Sequence, residues 1–114
     1  MIVKVIIQRE VTPGKEQDFF DLLRQLRFNA LQQPGYISGE TLICADDTRK
    51  VLIISKWSSI EEWKDWKADN RREKMDQALT KLQKSPAVYE PYVFSKFKAA
   101  AALEFPPPLQ KIKL

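Results

Sequence analysis

The sequence predicts an α+β protein of ferredoxin-like type, in the order β-α-β-β-α-β, with two helical regions over one face of a four-stranded antiparallel sheet. Three observations lead there. Four short runs rich in valine, isoleucine and aromatic residues alternate with two stretches of helical spacing. A short polar link joins the second and third runs, so those strands pair antiparallel. The first and third strands carry apolar residues on both faces, which a sheet with one face in water does not need. The face turned away from the helices is therefore expected to be covered by a second copy of the chain, giving a symmetric homodimer packed sheet against sheet.

Each element has its own warrant. Residues 2–11 (IVKVIIQREV) form the first strand, ended by Thr12-Pro13-Gly14. Residues 15–33 place Phe19, Leu22, Leu23, Leu26 and Ala30 on one helical stripe, and Pro34-Gly35 stops that helix. Residues 36–44 and 50–57 are the next two strands, with 45–49 (ADDTR) as the loop between them. Ser58 with Glu61, and Ser59 with Glu62, are each three residues apart, and either pair makes a capping box that starts the second helical region. Its first apolar stripe is Ile60, Trp63 and Trp66, and its second is Met75, Ala78, Leu79 and Leu82. The second stripe is rotated by roughly a quarter turn from the first at ~100° per residue, so a break is predicted near residues 69–72, with Asn70 able to cap the second piece. Residues 87–97 form the last strand, and Pro91, which lacks an amide hydrogen, belongs at a sheet edge or a bulge.

The bulk properties exclude several function classes. A chain of 114 residues is one domain's worth, assigned to residues 1–98. Residues 99–114 differ in composition: four alanines, then Leu103-Glu104-Phe105 and three prolines. That tail reads either as an extended native docking segment or, in its Ala-Ala-Ala-Leu-Glu portion, as a cloning-vector junction. The net charge of +4 is interleaved with acids, as in Glu61-Glu62-Trp63-Lys64-Asp65, so no nucleic-acid partner is expected. No apolar run reaches the ~20 residues of a membrane span, and the N-terminus does not read as a signal peptide. Cys44 is the one cysteine, which fits a reducing, cytoplasmic setting, and its place at a strand end reads as a small core residue. With no histidine in the chain, a Ser-His-Asp triad, a Cys-His pair and imidazole-based metal sites are excluded.

Four features in order carry a family likeness: Thr12-Pro13-Gly14-Lys15 before the first helix, Gln33-Pro34-Gly35-Tyr36-Ile37-Ser38-Gly39 leading into the second strand, Trp57 followed by Ser58-Ser59, and Trp66 nine residues after Trp57. Together they resemble the antibiotic biosynthesis monooxygenase family over residues ~1–97. The resemblance implies a dimeric α/β barrel with a pocket in each subunit between sheet and helices. It implies one of several activities, among them cofactor-independent oxygenation of aromatic polyketides and quinols, and haem degradation. The haem-degrading branch uses an asparagine, a tryptophan and a histidine. Trp66 matches the tryptophan, but Ile7 and Asp76 stand at the other two positions, which argues against haem as a substrate.

Candidate binding residues are each open to two readings. Trp66 can stack on a planar ligand or serve as core packing. Trp63 and Trp57 read as structural. Asn70, on the arc shared with Trp63 and Trp66, can donate to a substrate oxygen or cap a helix. Arg27 and Asn29 flank the stripe of the first helix; either can reach a pocket beneath it, or Arg27 can lay its stem over apolar surface. Tyr36, Tyr89 and Tyr92 put phenols near strand ends, with Tyr36 the preferred ligand contact. Asp46 and Asp47 read as turn residues. No catalytic residue, metal or cofactor is assigned. The expected function is a cofactor-independent monooxygenase of this type acting on a small phenol or quinol. The alternatives are a non-catalytic dimer that binds or senses a small apolar or aromatic molecule, and a structural subunit with its pocket filled.

Overall fold

In the computed structural model residues 1–94 are described. The predicted tail and the last residues of the predicted fourth strand lie outside the described residues. The elements are β1 (Val3–Glu10), α1 (Glu16–Ala30), β2 (Tyr36–Ile43), β3 (Lys50–Trp57), α2 (Ile60–Lys67), α3 (Asn70–Thr80) and β4 (Val88–Val93). They make one antiparallel sheet in the order β2-β3-β1-β4, the ferredoxin-like arrangement that the strand and helix pattern predicts.

Period-two alternation decides which strand residues meet the helices. In β1, Val3, Val5 and Arg9 are buried and Ile7 is half-buried, whereas Lys4 and Gln8 are exposed. The register pairs Val5 with Ser55 and Ile7 with Ile53, so Val51, Ile53, Ser55 and Trp57 share that inner face. Against it lie Phe19, Leu23, Leu26 and Ala30 of α1, the stripe read from the sequence, together with Trp63, Trp66 and Leu79. Leu22 of that stripe is only half-buried. Among the described residues β4 pairs with β1 alone, so Pro91 sits in an edge strand of that sheet, where its missing N–H costs no ladder bond on the outer side.

The outer face is mixed. Direct pairings put Leu42, Leu52, Gln8 and Val88 in one row, Glu40, Ile54, Ile6 and Glu90 in the next, and Ser38, Lys56, Lys4 and Tyr92 in the third. The acidic row, with Ile6 and Ile54 at its middle, thus lies between an apolar row and a basic row. Leu42, Val88 and Tyr92 are about half exposed in the single chain, at 45, 52 and 54%.

Three local readings are corrected. The first helix stops at Ala30 rather than at residue 33, because the chain must leave the helical region ahead of Pro34 and then take a positive φ of 85° at Gly35. A β-carbon on Gly35 would also run into the Glu62 side chain, so the position requires glycine twice over. The break in the second helical region is real, but Asp69 caps α3, not Asn70. Asp69 is extended and its carboxylate accepts from the Arg71 backbone N–H at 2.8 Å, which makes Asn70 the first helical residue. Cys44 is exposed rather than buried, because it lies just past the end of β2, beyond the cover of the helices.

Candidate functional site

The gap between α1, α2 and the inner sheet face is not filled by side chains. A cavity remains, with about 70 Å³ of free volume inside, several times the ~10–15 Å³ that one water takes on the same measure. Its walls are apolar: Leu23, Leu26 and Ala30 from α1, Ile7 and Ile53 from the sheet, and Trp57, Trp63 and Trp66. Trp66 lies where α2 faces the sheet and is 6% exposed, a burial that serves packing and cavity lining at once. Trp57 turns its indole N–H onto Ser55 Oγ at 3.1 Å and meets Tyr36 edge to face, with ring centroids 5.3 Å apart.

The two ends differ in chemistry. At the mouth, Arg27 reaches from α1 across to β2 and donates to the Gly39 carbonyl. The Tyr36 hydroxyl lies directly over Gly39, where a β-carbon would come within 2.4 Å of it. Arg27 and Glu40 are exposed. At the closed end stand Arg9, Arg72 and Tyr89, joined by Asp76 and Gln83. Arg9 Nη1 donates to Asp76 Oδ1 and to Gln83 Oε1, both at 2.9 Å, and Arg9 Nη2 donates to the Tyr89 hydroxyl at 3.2 Å. Arg72 Nη1 donates to the same hydroxyl at 2.9 Å, and that hydroxyl donates to Asp76 Oδ1 at 2.9 Å. Arg72 Nε is held by the Lys67 carbonyl. Both guanidinium groups and the Lys67 ammonium lie 5.1 to 5.9 Å from the centre of the Tyr89 ring, within the reach of cation–π attraction.

Of the residues singled out from the sequence, Trp66, Arg27 and Tyr36 line this cavity together. Asn70 and Asn29 do not. The break at Asp69 starts a new helix and leaves Asn70 exposed. Asn29 points to the other side of α1, where its amide donates to Met75 Sδ at 3.5 Å. Trp57 and Trp63, read as structural, are both core and lining. Arg9 and Arg72 were not anticipated. The parity of β1 held a usable signal for Arg9, which follows Val3, Val5 and Ile7 on the inner face. For Arg72 there was none, since its inward turn depends on where the helix breaks. Ile7 and Asp76, which stand in place of the haem-degrading asparagine and histidine, form part of the apolar wall and the anchor of Arg9.

Shifted acidities lie in the frame around the cavity. Hydrogen bonds from Ser58 and Ser59 hold the Glu62 carboxyl below its ordinary value. The Arg71 side chain holds Asp69 at about 2, and Arg49 lowers Asp47 in the β2–β3 loop. Among the described residues no three histidine, cysteine, aspartate or glutamate side chains converge on a metal position, and no helix is long and apolar enough to cross a membrane.

The sequence model of the antibiotic biosynthesis monooxygenase family matches residues 2–84. The chain is 27% identical over 77 residues to the uncharacterized protein YczJ of Bacillus subtilis (strain 168), covering 59% of this chain and 81% of that one. Among solved structures, a conserved protein from Methanosarcina mazei Go1 superposes with a TM-score of 0.78 at 15% identity, over 83% of this chain and 94% of that one. SnoaB from Streptomyces nogalater, a cofactor-independent oxygenase, superposes with a TM-score of 0.74 at 16% identity, over 83% and 94%.

Proposed function

Because this chain belongs to the antibiotic biosynthesis monooxygenase family, we propose that it is a cofactor-independent monooxygenase whose substrate is a small phenol or quinol. The observation that carries this reading is the tryptophan-walled cavity with polar groups at its two ends. An electron-rich ring is bound by stacking on Trp66 and by apolar contact with Trp63 and the α1 leucines. The limited volume favours a single ring, with any further substituent lying toward the mouth, where Arg27 and Tyr36 meet it. Once its hydroxyl is ionised, such a ring passes one electron to dioxygen. The resulting radicals couple at a ring carbon, and loss of water from the hydroperoxide leaves one oxygen atom in the quinone product and the other in water. The protein's part is to orient the ring, exclude solvent and stabilise the anion.

We also propose that the working unit is a dimer in which a second copy covers the outer sheet face. Twofold packing can set the row of Lys4 and Lys56 against the row of Glu40 and Glu90 around Ile6, Leu52 and Ile54. Native mass spectrometry is expected to give a dimer, and Ile54→Lys is expected to give a monomer. The exposed Cys44 fits a reducing compartment, and the cytoplasm is the proposed location.

The rival reading, a non-catalytic ligand-binding dimer, draws on the closed end, where the Tyr89 hydroxyl donates a hydrogen bond to Asp76 and accepts from both arginines, leaving no free position to take a substrate proton. Oxygen consumption separates the two. With a panel of phenols and quinols, uptake above the rate without protein, together with quinone formation, supports the oxygenase. Binding without uptake across the panel supports the rival.

A further inference from the structure

Burying a cation in an apolar cavity is costly unless opposite charge or hydrogen-bond acceptors meet it. At the closed end three cations, Arg9, Lys67 and Arg72, gather around the Tyr89 ring, and among the described residues the one carboxylate paired there is Asp76, bound to Arg9. Arg9 and Arg72 are 4% and 7% exposed, so solvent does little to offset the imbalance. The donors are also in excess. Among the described residues, Arg9 Nε is the one buried side-chain polar atom with no partner. Arg72 Nη2 makes no hydrogen bond among the described residues either, but it is not buried; its sister nitrogens are bound to Tyr89 and to the Lys67 carbonyl. The Tyr89 hydroxyl is saturated, accepting from both arginines and donating to Asp76. What this end lacks is an acceptor with negative charge.

From this excess of charge and donors we infer that the closed end of the cavity is an anion site, in which Arg72 and Arg9 hold the ionised oxygen of a phenol or quinol. This rests on the oxygenase reading and supplies what that reading was missing. A chain without histidine has no ready base near neutral pH, but two fixed cations remove the need for a strong one. They favour the phenolate over the phenol: the O–H bond breaks heterolytically in solvent before entry, the proton stays with water, and the anion is what the site binds. The charged and titratable groups that face the bound oxygen are Arg9 from β1, Lys67 from α2, Arg72 and Asp76 from α3 and Tyr89 from β4. Arg27, Tyr36 and Glu40 stand at the far end. The balance of the near groups is positive, so the ligand's acidity rises on binding.

The test uses 4-nitrophenol, whose colour reports its ionisation, titrated with pH in the absence and presence of saturating full-length protein. The expected result is a pKa of the bound nitrophenol about 1–3 below that of the free one, equivalent to phenolate binding about 10- to 1,000-fold tighter than phenol. Arg72→Gln is expected to remove at least about tenfold of that preference, and Arg72→Lys, which keeps the charge but not the fork, to retain part of it. Asp76→Asn, which removes the opposing carboxylate, is expected to move the preference the other way, toward still tighter phenolate binding. Failure of the native protein to bind the phenolate, an unshifted or weakened acidity, or an Arg72→Gln variant with unchanged preference overturns the anion site. The two readings fail separately: a shifted acidity without oxygen uptake sinks the oxygenase and leaves the anion site standing, whereas oxygen uptake with unshifted acidity does the reverse.

Discussion

The cavity has an arginine at each end, and the two are built in opposite ways. Arg9 is buried in a central strand and bound to three side chains on α3, β4 and the segment between them. Arg27 is exposed on a helix and crosses the mouth to a single backbone carbonyl. The first is fixed by a network whose members depend on one another; the second is held by one bond that water can replace. The same residue type is therefore buried and multiply bonded at one end, and exposed and bonded to one carbonyl among the described residues at the other. Burial and the number of partners decide the role, not the charge itself.

Replacing Arg9 by leucine breaks this comparison at its stronger side. Asp76, Gln83 and Tyr89 lose a common partner, and the expected loss of stability is about 3–5 kcal/mol, read from urea denaturation. A loss within ~0.5 kcal/mol, the range of an ordinary surface change, would mean that the closed end is not a scaffold. Next in size is Trp66→Ala. Removing a buried indole is expected to cost about 3 kcal/mol and to abolish binding of the aromatic probe. Trp66→Phe should keep the fold while weakening that binding, so the packing and stacking roles separate.

The strand and helix pattern was legible because it rests on local chemistry. The Val/Ile runs, the Ser59–Glu62 cap and the Pro34-Gly35 stop act over a few residues, and all are present. The cavity was half legible. Trp66 and Arg27 are legible because they sit on or beside apolar stripes, and Tyr36 because its phenol lies near a strand end; the three do come together. Asn70 was chosen by the same rule and left the group, since capping by Asp69 begins a new helix direction one residue before it. Arg72 was hidden for the same reason. Its inward turn is set by the angle between α2 and α3, a tertiary quantity that no periodicity within either helix records. Arg9 was hidden because an arginine in a strand ordinarily marks the solvent face, and only its partners on α3 and β4 make burial tolerable.

At the weaker side, Arg27→Gln is expected to leave stability unchanged within ~0.5 kcal/mol and to speed ligand association, measured by stopped-flow quenching of tryptophan fluorescence. A marked loss of stability would show that the mouth, too, is scaffold. The smallest effect concerns the hinge that carries Arg72 inward. The folded Asp69 carboxyl lies at about 2, below the ~3.9 of an unfolded aspartate, so its contribution is present above pH ~4 and is lost as pH falls toward 2. The native protein should lose thermal stability over that window more steeply than Asp69→Asn does; equal slopes would remove Asp69 from the acid response.

The most direct measurement is a crystal structure of the protein with a bound phenol, grown without oxygen. The account predicts the ring between Trp66 and the α1 leucines, with its hydroxyl oxygen about 3 Å from Arg72 Nη2 and its far edge toward Arg27. A ring on the outer sheet face, or one whose oxygen turns to the mouth and leaves the two buried arginines unmet, would contradict it.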